Sequence, residues 1–181
     1  MCGDHYLDQL GHGTAVAGAI REKAPQAELF AVKIFAQKLT TDLDTLLRAL
    51  EWCVTQKMDL VNLSLGATNE AHREALAAAI QPGGPLVISA AGQLPGLLDS
   101  VIPVEVDWDC PRDEFRVHQR NGRTVFAASG YARPIPGVPP EHNLKGISFA
   151  VANFTGILAR IAGEPANLQA ALKTASLKPD T

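Results

Sequence analysis

An α/β fold with a mostly parallel sheet is the class this sequence predicts, and three observations predict it. Short apolar runs of strand type alternate with segments of helical period. Two of the runs, 60–66 and 86–92, are apolar almost throughout, as strands buried on both faces of a parallel sheet are. The connections between them have the length of βαβ units. The expected architecture is a three-layer α/β/α arrangement, built as one domain from the 181 residues.

The elements follow in order. Gly11-His12-Gly13-Thr14-Ala15-Val16-Ala17-Gly18 is rich in small residues and suits a helix packed closely against a neighbour. Leu29 to Phe35 reads as a first strand. From Thr41 to Lys57 the period becomes helical, with Leu43, Leu46, Leu47, Leu50 and Val54 on one stripe. Thr41 is the candidate N-cap, with Asp44 three residues on. The run 60–66 is a second strand, 69–81 an Ala-rich helix stopped by Pro82-Gly83-Gly84-Pro85, and 86–92 a third strand. Strands over 101–106 and 124–129 follow, then helices over 147–162 and 165–177, the second opening on a proline.

Composition excludes several classes. Sixteen Lys and Arg against nineteen Asp and Glu give a net charge of −3, with no run of five like charges. A nucleic-acid or anionic-membrane binder usually carries a clustered basic face, so neither partner is expected. Hydrophobic residues at 46% and charged residues at 19% describe a globular chain, not a disordered one. Cys2, Cys53 and Cys110 are scattered and odd in number, which excludes a disulfide framework and a zinc ribbon. Cys53 lies on the apolar face of its helix and reads as a small core residue. The N-terminal residues show no basic region leading into an apolar one, and the run 147–163 is too short and too polar to span a bilayer. A cytoplasmic location is the corresponding expectation.

Three segments carry chemistry. His12, between two glycines at a helix start, is a candidate general base, although alone it reads more readily as a loop or structural histidine. Ser148, in Gly146-Ile147-Ser148-Phe149-Ala150, falls in the first turn of an apolar helix, where free N–H groups and the helix dipole favour a developing oxyanion. Alone it reads as an N-cap. Gln93, after Ala90-Ala91-Gly92 at a strand end, offers an amide donor or is a surface glutamine beyond a turn. In open α/β sheets, sites sit beyond the carboxyl ends of the strands, where Ser64, Gly66, Gly92 and Gln93 fall.

Taken together, these segments resemble the subtilisin-like serine proteases, the subtilases of peptidase S8 type. His12-Gly13-Thr14-Ala15-Val16-Ala17-Gly18 is similar to that family's His-Gly-Thr-x-Val-Ala-Gly motif, which carries the catalytic histidine. Asn62-Leu63-Ser64-Leu65-Gly66 resembles the strand forming one wall of the substrate cleft, and Ala90-Ala91-Gly92 the approach to the oxyanion-hole asparagine. Gly146-Ile147-Ser148-Phe149-Ala150 resembles the Gly-Thr-Ser-Met-Ala nucleophile motif. The likeness runs from about residue 8 to about residue 163. It implies a serine endopeptidase without cofactor or metal. Ser148 would attack, His12 would take its proton, and Gln93 with backbone N–H groups would hold the oxyanion. A peptide or protein substrate would lie along Ser64, Leu65 and Gly66 as an added strand.

The departures are equally specific. In the family, the triad aspartate ends an early buried strand well upstream of the histidine. Here eleven residues precede His12, Asp4 has no strand to deliver it, and Asp8 matches the polar residue just before the motif, not the triad member. No triad aspartate is assigned, and the sheet is expected to lack its N-terminal strand or strands, leaving a gap beside His12. Gln93 stands where asparagine is usual, and Ala152-Asn153 replaces Pro-His. Two readings follow. One is a serine endopeptidase, incomplete or weak as written, that another chain or a further N-terminal segment completes. The other is a non-catalytic relative that binds a peptide or partner through the same cleft. An α/β-hydrolase is excluded, because Ala150 stands where G-x-S-x-G needs glycine. Gly92 and Gly96 make no nucleotide fingerprint, and Asp4, His5, Asp8 and His12 lack recurrent metal-ligand spacing.

Overall fold

The computed structural model describes residues 7–177. Five strands form one sheet: β1 (Leu60–Leu63), β2 (Leu86–Ala90), β3 (Val101–Val106), β4 (Phe115–Arg120) and β5 (Arg123–Ala128). Their order is β1-β2-β3-β5-β4. β1, β2, β3 and β5 run parallel, and β4 pairs antiparallel with β5 at the far edge. The helices are α1 (His12–Lys23), α2 (Leu43–Thr55), α3 (Arg73–Ala79), α4 (Ile147–Ala162) and α5 (Leu168–Ala175).

Alternation along the strands builds two cores on opposite faces. Val61, Leu63 and Val87 meet Leu46 and Leu50 of α2 and Leu76 of α3. Ile88, Ile102, Val104 and Phe126 meet Val151, Phe154 and Ile157 of α4 and Leu168 of α5. Neighbours Val87 and Ile88 thus point to different layers, as the two-residue strand period requires. This is the expected three-layer α/β/α arrangement. A third cluster joins α1 to α4 through Val16, Ala19, Ile20, Phe149 and Ala152. Gly156 makes that crossing close, since a Cβ there would lie 3.0 Å from the Ile20 carbonyl oxygen.

Several elements depart from the expected ones. Residues 29–35 join no strand ladder among the described residues. Among the described residues β1 pairs only with β2, and its outer edge faces 29–35 across a groove of about 1340 Å³ that His12, Phe30, Val32, Trp52 and Leu63 help to line. A strand exists only where a neighbour takes its N–H and C=O groups, and no described strand does so for 29–35; Phe30 stays 52% exposed. The N-cap of α2 is Asp42, not Thr41, because the Asp42 carboxylate reaches the Thr45 N–H at 2.7 Å. Cys53 takes the inner position of that helix, and Val54 is exposed. The Ala-rich helix shortens to a 3₁₀ turn (Glu70–His72) followed by α3. The β4–β5 hairpin was not among the expected elements. It turns on Asn121 and Gly122, both at positive φ (51° and 77°), a geometry these two residues favour.

Cys53 and Cys110 are buried free thiols, and burial pushes both above the usual thiol range, which opposes reactivity. Cys2, Asp4 and His5 lie outside the described residues. No helix among the described residues is long and apolar enough to cross a membrane.

Candidate active site

His12 is the first residue of α1, entered from Gly11 in the left-handed region (φ 68°). Asp8 fixes this entry. Its carboxylate accepts from Gly11 N–H at 2.9 Å, Thr14 N–H at 2.7 Å and Thr14 Oγ1 at 2.8 Å. Asp8 thus satisfies helix-start N–H groups and sits at the positive end of the helix dipole. The Thr14 N–H, above all, holds its carboxyl below the usual carboxylate range. Asp8 therefore caps the helix start, a role that its reading as the polar residue before the motif did not specify. Among the described residues no carboxylate hydrogen-bonds the His12 ring. Burial pulls the imidazole below its ordinary value, and the Asp8 charge opposes this without reversing it.

The His12 ring lies against Phe149, with centroids 5.9 Å apart and planes tilted by 57°. That contact brings His12 to the turn carrying Ser148, the second residue of α4. The turn is entered through Gly146 at φ 140°, a conformation that disfavours any side chain. Ser148 and Ser64 clasp each other. Ser64 Oγ donates to the Ser148 carbonyl at 2.8 Å, and Ser148 Oγ donates to the Ser64 carbonyl at 3.2 Å. Behind the clasp, Asn62 Nδ2 donates to Ser64 Oγ at 2.9 Å. Thr155 Oγ1 shares its proton between Asn62 Oδ1 (3.1 Å) and Val151 O (2.7 Å). The nucleophile candidate is thus anchored through its backbone to β1, while its hydroxyl rests on a carbonyl and not on His12.

Gln93 follows Gly92, whose φ is 78°, and is exposed. Its amide folds onto Gly66 so closely that a Cβ on Gly66 would lie 1.9 Å from Gln93 Oε1. Ser64, Leu65 and Gly66 continue the line of β1 past Leu63 and border this amide. The structure therefore gathers Ser148, Ser64, Leu65, Gly66 and Gln93 at the carboxyl end of β1 and β2, with His12 beside them.

Two supporting groups were missed in the sequence. Asn62 and Thr155 are polar residues inside nearly continuous apolar runs, and that interruption was the available signal. Asn153 is a third such residue. It is fully buried, and its Nδ2 donates to Ser129 O at 2.8 Å and Tyr131 O at 3.0 Å, tying α4 to the segment after β5. Among the described residues, no group of three His, Cys, Asp or Glu side chains is placed to hold a metal ion.

Residues 2–105 match the model of the Subtilase family. The chain is 38% identical over 98 residues to Minor extracellular protease Epr of Bacillus subtilis, covering 48% of this chain and 15% of that protein. It is 28% identical over 167 residues to Subtilisin E of the same organism, covering 84% of this chain and 43% of that one. The chain thus spans less than half the length of these relatives. Among solved structures, the prenylagaramide maturation protease PagA superposes with a TM-score of 0.61 at 27% identity, covering 93% of this chain and 68% of that one. A lanthipeptide protease superposes with a TM-score of 0.62 at 18% identity, covering 96% and 65%, which speaks for the fold alone. With sheet, helices and motif order in agreement, this chain belongs to the subtilase family.

Proposed function

We propose that this domain hydrolyses peptide bonds by acyl transfer, with Ser148 as nucleophile and His12 as general base, and that it is weak until a carboxylate reaches His12. The observation that carries the reading is the joint placement of both groups by the α1–α4 packing, with the Ser148 turn clasped to Ser64. Ser148 Oγ would give its proton to the neutral His12 ring as it adds to the carbonyl carbon. The N–H groups of the first turn of α4 and the Gln93 amide would then face the oxyanion. The peptide would add as a strand beside Ser64, Leu65 and Gly66.

The orienting carboxylate has a place to arrive. The outer edge of β1 and the extended segment 29–35 flank a groove that also borders His12. A strand laid there, from this polypeptide or another, would pair with the β1 edge and cover the exposed Phe30 and Val32. Loss of such a carboxylate lowers kcat by about 10⁴-fold in serine proteases.

The second reading, a non-catalytic peptide binder, is favoured by the Ser148 hydroxyl donating to a carbonyl and by Asp8 being committed to Gly11 and Thr14. A fluorophosphonate probe separates the two. Slow labelling that Ser148→Ala abolishes, and that a strand restoring a carboxylate accelerates, supports the protease. Labelling unaffected by Ser148→Ala overturns the nucleophile assignment, and no labelling even with the restored strand leaves the binder.

A further inference from the structure

Resting on the reading that Ser148 cuts a peptide lying along Ser64–Gly66, we propose that this cleft is a closed slot admitting only a small residue, Gly, Ala or Ser, immediately before the scissile bond. β1 and β2 are parallel with Leu63 opposite Ser89, so 64–66 and 90–92 continue side by side past the strand ends. The Ser148 hydroxyl, 3.2 Å from the Ser64 carbonyl, sets the reacting carbonyl at the near end. The side chain preceding that carbonyl must then enter between these two segments.

The far end is shut. Ala67 N–H donates to Leu94 O at 2.8 Å and Leu94 N–H to Ala67 O at 3.0 Å, a reciprocal pair that leaves only the width of a β-bridge. The Gln93 amide packs on Gly66, so that a Cβ on Gly66 itself would lie 1.9 Å from Gln93 Oε1, and it closes the slot on that side.

The wall cannot swing aside. Gly96 lies against the end of β2, since a Cβ there would be 1.9 Å from Ala90 O. Arg123 of β5 donates to Gly96 O at 3.3 Å, Leu98 O at 2.7 Å and Val101 O at 3.2 Å, stapling the turn and the start of β3 to β5. Leu94, Pro95 and Gly96 are buried, whereas the Gln93 side chain is exposed. Gln93 is therefore the one movable part of the closure.

The test uses this chain and two cleavage-product peptides, acetyl-Ala-Ala-Ala and acetyl-Ala-Ala-Phe, with binding followed by amide chemical shifts. The Ala peptide should bind tighter by about tenfold or more, the discrimination that a few extra buried carbons impose on a closed pocket. In Gln93→Gly and Gln93→Ala, with folding checked by thermal melting, the Ala-to-Phe ratio should fall at least severalfold. The oxyanion contribution of Gln93 is common to both peptides and cancels in that ratio. Equal binding of the two peptides to the unaltered chain, or a ratio unmoved in both variants, overturns the closed slot and leaves the peptide-cleaving reading standing. Binding of neither peptide at millimolar concentration overturns both.

Discussion

Replacing Asp8 by alanine separates a helix cap from a catalytic carboxylate. The side chain accepts three hydrogen bonds, from Gly11 N–H, Thr14 N–H and Thr14 Oγ1, all at the entry to α1. Removing a capping side chain costs about 0.5–2 kcal/mol, and an exposed one belongs near the middle of that range, about 1 kcal/mol. The pH dependence has a definite sign. The folded-state pKa of Asp8 lies below its ordinary value of 3.8, so the ionised cap stabilises above pH 3.8 and its contribution is lost as the pH falls through the folded value. Urea unfolding of the parent and Asp8→Ala should therefore differ by about 1 kcal/mol at pH 7, and the difference should shrink as the pH falls below 3.8. Labelling of Ser148 by a fluorophosphonate, at a urea-free pH 7 where both proteins are folded, should slow by less than about tenfold. An orienting carboxylate would give a loss approaching 10⁴-fold. A loss of that size, or a stability difference that grows as the pH falls below 3.8, would refute the assignment of Asp8 as a cap.

The other expected outcomes are more local. Gly156→Val forces a side chain against the Ile20 carbonyl and Lys23 Cβ, both 3.0 Å from an added Cβ, and should destabilise by about 1–3 kcal/mol in denaturant melts. Ser64→Ala removes the donor to the Ser148 carbonyl and strands Asn62 Nδ2, so it should cost about 2 kcal/mol in the same measurement and slow Ser148 labelling more than Gly156→Val does at equal folded fraction. Because burial lowers the His12 pKa, the ring stays neutral and able to accept a proton to below pH 6.5. The acid limb of the labelling rate should have its midpoint below that value and move lower still in Asp8→Asn; a midpoint above 6.5 would count against His12 as the base.

Much of this molecule was legible from local pattern, and the failures have physical causes. β1 and β2 were readable because apolar runs bounded by turn residues need no distant partner to be recognised. Residues 29–35 carry the same pattern and are not a strand, because a strand depends on a neighbour that local sequence does not contain. The β4–β5 hairpin carried a readable sign in Asn121-Gly122 and the alternation of Phe115, Val117 and their polar neighbours. At the site, the motifs named Ser148, His12 and Gln93 as candidates. The Ser64–Ser148 clasp joins residues 84 positions apart, and nothing in either neighbourhood announces it.

That clasp bears on a His12 ring to which no carboxylate hydrogen-bonds among the described residues. Ser148 is positioned by Ser64, Asn62 and Thr155, and His12 by Asp8, Phe149 and the α1–α4 packing. Neither placement depends on a triad carboxylate, whose work is to select the imidazole tautomer and stabilise the imidazolium. The two functions are thus separable in this fold. A strand supplied to the outer β1 edge, which no described strand pairs, should raise the labelling rate of Ser148 by orders of magnitude while leaving the amide chemical shifts of Ser64, Ser148 and Phe149 nearly unchanged. If the rate rises only together with large shifts in the 147–155 turn, the added strand is building the nucleophile's position and not merely orienting its base. The α1–α4 packing would then be insufficient to hold the site.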